Sequence, residues 1–155
     1  MEKTLDRFLI AQQNYYQTAY HEVKSGKKKS HWMWFIFPQI RGLGYSEMAR
    51  YYAIESREEA ADYIVDSTLG NNLIEISRVL LELDGSNATE IMGEPDDKKL
   101  HSCMTLFSTI APEVDVFENV LEKYFEGKKD QRMCFLNIVN MQIIITIFLS
   151  ISFLC

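Results

Sequence analysis

At 155 residues the chain fits one domain with room for a sizeable core. Hydrophobic content of 47% beside 25% charged residues excludes a disordered polar chain. A net charge of -6 and a pI near 5.1 exclude a broad nucleic-acid surface, which needs a positive field over many phosphates.

The first residues lack the charged-then-apolar profile of a secretory signal, so the expected location is cytoplasmic. Helical spacing of Leu5, Phe8, Leu9, Tyr15, Tyr16, Ala19 and Val23 predicts a first helix over 5–23. Gln12 lies on that apolar stripe. A buried amide must find partners, so it either braces a loop or faces a polar cavity. Ser25 and Gly26 end the helix, and Lys27, Lys28 and Lys29 follow as a short basic knot that reads as a solvated loop.

The segment 30–44 is the most informative. It gathers both tryptophans (Trp32, Trp34), two phenylalanines, His31, Gln39, Arg41, Gly42 and Gly44. Aromatic residues interrupted by polar groups and closed by glycines predict a pocket wall. Ser46 is placed to cap a short helix through position 54. Ser56 with Glu59 forms a capping-box pattern for a helix to about position 67, burying Ala60, Tyr63 and Ile64. Gly70 then separates that helix from a periodic stretch with Leu73, Ile76, Leu80 and Leu83. The sequence Asn87, Ala88, Thr89 matches a glycosylation acceptor, which without a secretory signal is a chance match.

Glu94, Pro95, Asp96 and Asp97 read as a helix entrance, with proline in the first turn and acids at the positive end of the dipole. That helix carries Leu100, Cys103, Met104, Leu106, Phe107 and Ile110 and ends at Pro112; another spans about 114–125. No strand pattern of useful length intervenes. The expected class is all-α, a compact multihelical domain over 1–132 with an extra apolar segment over 133–155. That last segment carries no charge and is long enough to span a bilayer. It reads as a terminus foreign to the domain, from altered splicing or a frame change, as a tail anchor preceded by Lys128, Lys129 and Arg132, or as a last core helix.

Three cysteines, odd in number and widely spaced, form neither a disulfide framework nor a zinc pattern, and Cys103 reads as a small buried residue. His21, His31 and His101 show no ligand spacing, so no metal or cofactor is expected. His31 is a candidate acid/base, because imidazole exchanges protons near neutrality. Asp97 and His101 share a helix face and form a second candidate pair, catalytic or simply solvated. Trp32 and Trp34 are candidates to stack a flat ligand, with Arg41 and Lys99 as cationic anchors for its phosphate or carboxylate. Core packing is the competing role for both indoles.

The chain resembles the family named domain of unknown function 1810. The resemblance rests on Phe8 with Ala11, Gln12 and Tyr15, and on Ser30, His31, Trp32, Met33, Trp34, Phe35, Ile36, Phe37, Pro38 and Gln39. It continues through Gly42, Leu43, Gly44 and Ser46, then Tyr52 with Ile54, and Leu69 with Gly70. It closes with Pro95, Asp96, Asp97, Lys98, Lys99 and Leu100, and with Met104, Thr105, Leu106 and Phe107. Coverage runs over about 5–131. The resemblance implies a small multihelical fold and brings no established activity. Two positions depart from the family pattern: Ser102 and Cys103 stand where a serine pair is usual, and His101 lies outside it.

The expected function is binding of a small polar or nucleotide-like ligand by Gln12, Trp32, Trp34, Gln39, Arg41 and Lys99, with His31 and Asp97 as catalytic candidates. The alternatives are a protein-interaction module that uses the aromatic segment as a groove, and a tail-anchored membrane adaptor.

Overall fold

The computed structural model describes residues 4–133. Among them the chain forms helices α1 (Asp6–Lys24), α2 (Met33–Ile36), α3 (Glu47–Tyr51), α4 (Arg57–Val65), α5 (Leu69–Glu82), α6 (Ala88–Met92), α7 (Asp96–Ile110) and α8 (Val116–Phe125). The class is all-α, as the periodicity predicts. Among the described residues, β pairing is limited to one parallel bridge between Ile40 and Ile54.

That bridge shortens α3 relative to the sequence expectation. The N–H of Ile54 donates to the Gln39 carbonyl (2.8 Å) and its carbonyl accepts from the Arg41 N–H (2.8 Å). Both polar groups of Ile54 are therefore committed sideways, and the helix ends at Tyr51. Its start is as expected, with the Ser46 hydroxyl accepting from the Ala49 N–H at 3.1 Å.

The Ser56 cap also forms, accepting from the Glu59 N–H at 3.0 Å. Its reciprocal bond is displaced by one residue: Glu59 reaches back to the N–H of Glu55 (2.6 Å) rather than that of Ser56. The next boundary follows from Asp66, whose carboxylate accepts from the N–H groups of Thr68 and Leu69, both at 2.9 Å. This ends α4 at Val65 and opens α5 at Leu69, so Gly70 lies inside the first turn of α5 instead of before it. Close approach explains the glycine: a Cβ there would stand 2.0 Å from the Ile64 carbonyl oxygen.

The short α6 is absent from the sequence expectation, because five residues carry too little periodicity. Its N-cap is Asn87, whose Oδ1 accepts from Thr89 and Glu90 N–H groups. The tripeptide that matches a glycosylation site is thus a helix start.

Helix α5 packs on α1, α4 and α8, and α7 packs on α4, α6 and α8. Phe8, Tyr63, Phe107 and Phe117 link α1, α4, α7 and α8 through ring contacts of 5.1, 5.4 and 5.8 Å. Each such contact adds about 0.5–1.5 kcal/mol beyond the area it buries. Cys103 is fully buried among these residues, and burial pushes its thiol pKa well up.

Met133 is buried against this core. The three readings of the apolar tail otherwise fall on 134–155, outside the described residues. Among the described residues no helix is long and apolar enough to cross a membrane.

Candidate functional site

The lysine knot and the aromatic segment are fixed by one carboxylate. Glu22, near the end of α1, accepts from the N–H groups of Lys29 (2.7 Å) and Ser30 (3.0 Å), the Ser30 hydroxyl (2.5 Å) and the Trp32 indole N–H (2.8 Å). Burial alone would raise its pKa. The Ser30 hydroxyl, the two backbone donors and the indole outweigh that and lower it from 4.5 to about 2. Trp32 is completely buried by this arrangement. The stacking role expected of it therefore has no exposed face, and its indole serves the core.

Trp34, the second residue of α2, is half-buried. The Lys99 ammonium sits 4.9 Å from its ring centroid, a cation–π contact that occupies one face. Lys99 also pairs with Asp96 (2.7 Å), and Asp96 pairs with Lys28 (2.8 Å). Burial raises the Asp96 pKa, but hydrogen bonds and charge from Lys28 and Lys99 bring it below its ordinary value. Lys28, read as solvated from the charge run, is instead largely buried, with its ammonium 5.0 Å from the Trp32 ring.

Gln12 takes its bracing alternative. Its amide N–H₂ donates to the Phe35 carbonyl (2.7 Å) and the Tyr63 hydroxyl (3.0 Å), and its oxygen accepts from Asn72 (2.9 Å). One amide thus ties α1 to α2, α4 and α5.

The two catalytic candidates are not brought together. Asp97 is buried and accepts from the Thr89 hydroxyl (2.7 Å) and the Lys98 N–H (2.8 Å). His31 is exposed and forms none of the side-chain hydrogen bonds or ion pairs found among the described residues. The Asp97–His101 pair is not formed either. His101 stacks flat on Phe125 (4.2 Å between centroids), and its Nε2 donates to the Lys128 carbonyl at 2.6 Å.

A surface groove of about 280 Å³ does gather residues from distant stretches: Trp34 and Gln39, then Leu43–Ser46 and Ala49, then Pro95, Lys98 and Lys99, and finally Arg132. Arg41 lies outside it. It lines a larger cleft of about 850 Å³ with Arg50, Glu55, Glu58 and Asp62, and pairs with Glu55 at 3.2 Å. The two depressions share a wall of Gly44, Tyr45 and Ala49. Gly44 is required there, since a Cβ would meet that of Ala49 at 2.6 Å.

Lys98 and Arg132 belong to the groove but not to the sequence expectation. Lys98 is exposed and forms no ion pair among the described residues. Arg132 is held by Asp130, through Nε to Oδ1 (3.3 Å) and Nη2 to Oδ2 (3.0 Å). Asp130 is buried, accepts from the Ser102 hydroxyl (2.5 Å), and donates its N–H to Thr105 (2.9 Å). Burial raises the Asp130 pKa, and the bonds from Arg132 and Ser102 more than reverse this. The adjacent Lys98 and Lys99 were a readable signal. Arg132 gave none, because its place depends on how the chain returns after α8.

Comparison with known proteins accords with this fold. The family model described as Protein of unknown function (DUF1810) matches residues 2–136. The crystal structure of a conserved hypothetical protein from Mycobacterium tuberculosis is similar, with 42% identity and a TM-score of 0.83 over 85% of this chain and 94% of that one. No curated protein matches the chain.

Proposed function

The chain belongs to the family described as Protein of unknown function (DUF1810), and from that premise we propose that it is a binding domain for a small anionic ligand. The groove between α2, the residues ahead of α3, and the start of α7 is the binding site. One observation carries the reading: in a protein of net charge -6, three cations from two separate stretches, Lys98 with Lys99 and Arg132, line one groove beside a half-buried tryptophan. A positive patch on an acidic protein concentrates anions locally.

In this reading Lys98, Lys99 and Arg132 contact the anion, and Gln39 and Ser46 offer hydrogen bonds. Trp34 orients Lys99 through its ring. Tyr45, 81% exposed at the rim, is the ring available for a flat ligand in place of the two tryptophans. Gln12, Trp32 and Asp97 support the walls, and His31 and Arg41 lie outside.

Thermal unfolding with adenosine monophosphate tests the reading. Ligand at ten times its dissociation constant adds about 1.4 kcal/mol, or roughly 3–6 °C in melting temperature for a domain of this size. The rise is expected in the native chain and in His31→Ala, and is expected to vanish in Lys98→Glu. A rise that survives Lys98→Glu removes the groove as the site.

A protein-interaction role draws on a different surface. Tyr45, Met48 and Tyr51 are exposed on and beside α3, whereas the aromatic segment expected to form a groove is mostly buried.

A further inference from the structure

We propose that the groove selects the dianion of a phosphate monoester, and that Arg132, positioned by Asp130 and Ser102, sets this selection. The inference rests on the binding reading above and names its ligand class.

Some donors of the groove are already engaged within the protein. Lys99 and Lys28 share the single carboxylate of Asp96, so this cluster keeps one net positive charge while the Lys99 ammonium is held in place. Lys98 has no ion-pair partner among the described residues. Arg132 meets Asp130 side-on through Nε and Nη2, which leaves Nη1 without a partner among the described residues. Lys98 and Arg132 therefore face one groove with open donors; Asp130 balances the Arg132 charge, and the second net positive charge beside Lys98 comes from the cluster of Lys28, Lys99 and Asp96.

A carboxylate or a phosphodiester carries a single charge, which Lys98 alone can match. A phosphate monoester carries close to two charges and three terminal oxygens near neutral pH. It can engage the Lys98 ammonium and the planar Arg132 guanidinium together.

The guanidinium can do this because it is fixed. Ser102 is fully buried and Asp130 is 6% exposed. The Ser102 hydroxyl donates to Asp130 Oδ2, and the Asp130 N–H donates to Thr105 on the same helix. The segment after α8 is thereby pinned to α7 beside Lys98. Ser102 and Asp130 act through Arg132 and are positioning residues.

The test is calorimetric titration of the full chain with methyl phosphate and with dimethyl phosphate, at pH 5.5 and 7.5 and matched ionic strength. With a second pKa of about 6, the dianionic fraction of methyl phosphate rises from about a quarter to nearly all. Its affinity is expected to rise about fourfold. Dimethyl phosphate, always a monoanion, is expected to bind more weakly and without pH dependence. The charged groups around the ligand are Asp96, Lys98 and Lys99 on α7, Lys28 ahead of α2, and Asp130 and Arg132 after α8. They are common to both titrations, so titration of the protein itself cancels in the comparison.

Arg132→Lys keeps the charge and loses the planar fork, and is expected to weaken methyl phosphate at least fivefold with unchanged helical signal. Asp130→Asn is expected to weaken it as well, although it removes a negative charge; simple Coulomb attraction predicts the opposite. Equal, pH-independent binding of both esters overturns the dianion assignment and leaves the groove reading standing. Full affinity in Arg132→Lys with tighter binding in Asp130→Asn overturns the positioning role. Failure of both esters to bind removes this inference and the groove together.

Discussion

Glu22 shows how much of the site depends on a residue with no chemistry of its own to perform. Its folded pKa of about 2 lies below the ordinary 4.5. The carboxylate therefore contributes stability that is complete above pH 4.5 and is lost as pH falls toward 2. Glu22→Gln should cost about 1–3 kcal/mol at pH 7 and flatten the acid limb of a urea midpoint measured against pH. Gln12 is a parallel case. Gln12→Ala leaves the Phe35 carbonyl, the Tyr63 hydroxyl and the Asn72 amide short of a partner, at a cost of about 2–3 kcal/mol in urea unfolding. A residue held only for ligand contact would cost far less. That Gln12 is buried is legible from its place on an apolar stripe. Its partners are not legible, because they come from three other helices and nothing local specifies them.

At the scale of elements, what a single segment determines was readable and what a neighbour determines was not. Ser46 and Ser56 cap their helices because the cap needs only the next three residues. Helix α3 ends before the position its sequence indicates because Ile54 is drawn into a bridge with a segment earlier in the chain. Gly70 looked like a break because glycine lowers helix propensity, yet it marks a contact between α4 and α5. Gly70→Ala should lower stability by about 3 kcal/mol, the upper end for overpacking, with the melting temperature as the readout. A milder effect is expected at the other end of α5, where the Lys123 ammonium accepts no bond but donates to the carbonyls of Leu80, Leu81 and Leu83. Lys123→Met should cost about 1 kcal/mol by stripping the Leu81 and Leu83 carbonyls of their donor, while the Leu80 carbonyl keeps the Tyr124 hydroxyl.

For the molecule as a whole, the ring contacts from Phe8 to Phe117 cross four helices and leave no seam between them. Unfolding is therefore expected as one cooperative event, with near-ultraviolet and far-ultraviolet dichroism lost at the same urea concentration. Phe107→Ala should cost about 3–5 kcal/mol and move both signals together; separate transitions would show that the helices form independent units. The all-α class and most core residues are legible because periodicity records burial directly, but Tyr15, on the α1 stripe, is 48% exposed and Arg7, off that stripe, is buried. The groove was legible only in part. Trp34, Gln39 and Lys99 have chemistry suited to a site and do meet there, whereas Gln12, His31, Trp32, Arg41 and Asp97, equally suited, do not line it. Proximity between remote stretches arises from the return of the chain after α8, which no local pattern encodes.

The two indoles equip this protein with a depth gauge. One is sealed beside a carboxylate and the other lies half open beneath an ammonium group. Acrylamide added to the native chain should dim the emission of Trp34 and leave Trp32 bright, so an occupant arriving at Lys99 announces itself as shielding of a single fluorophore, with no label attached.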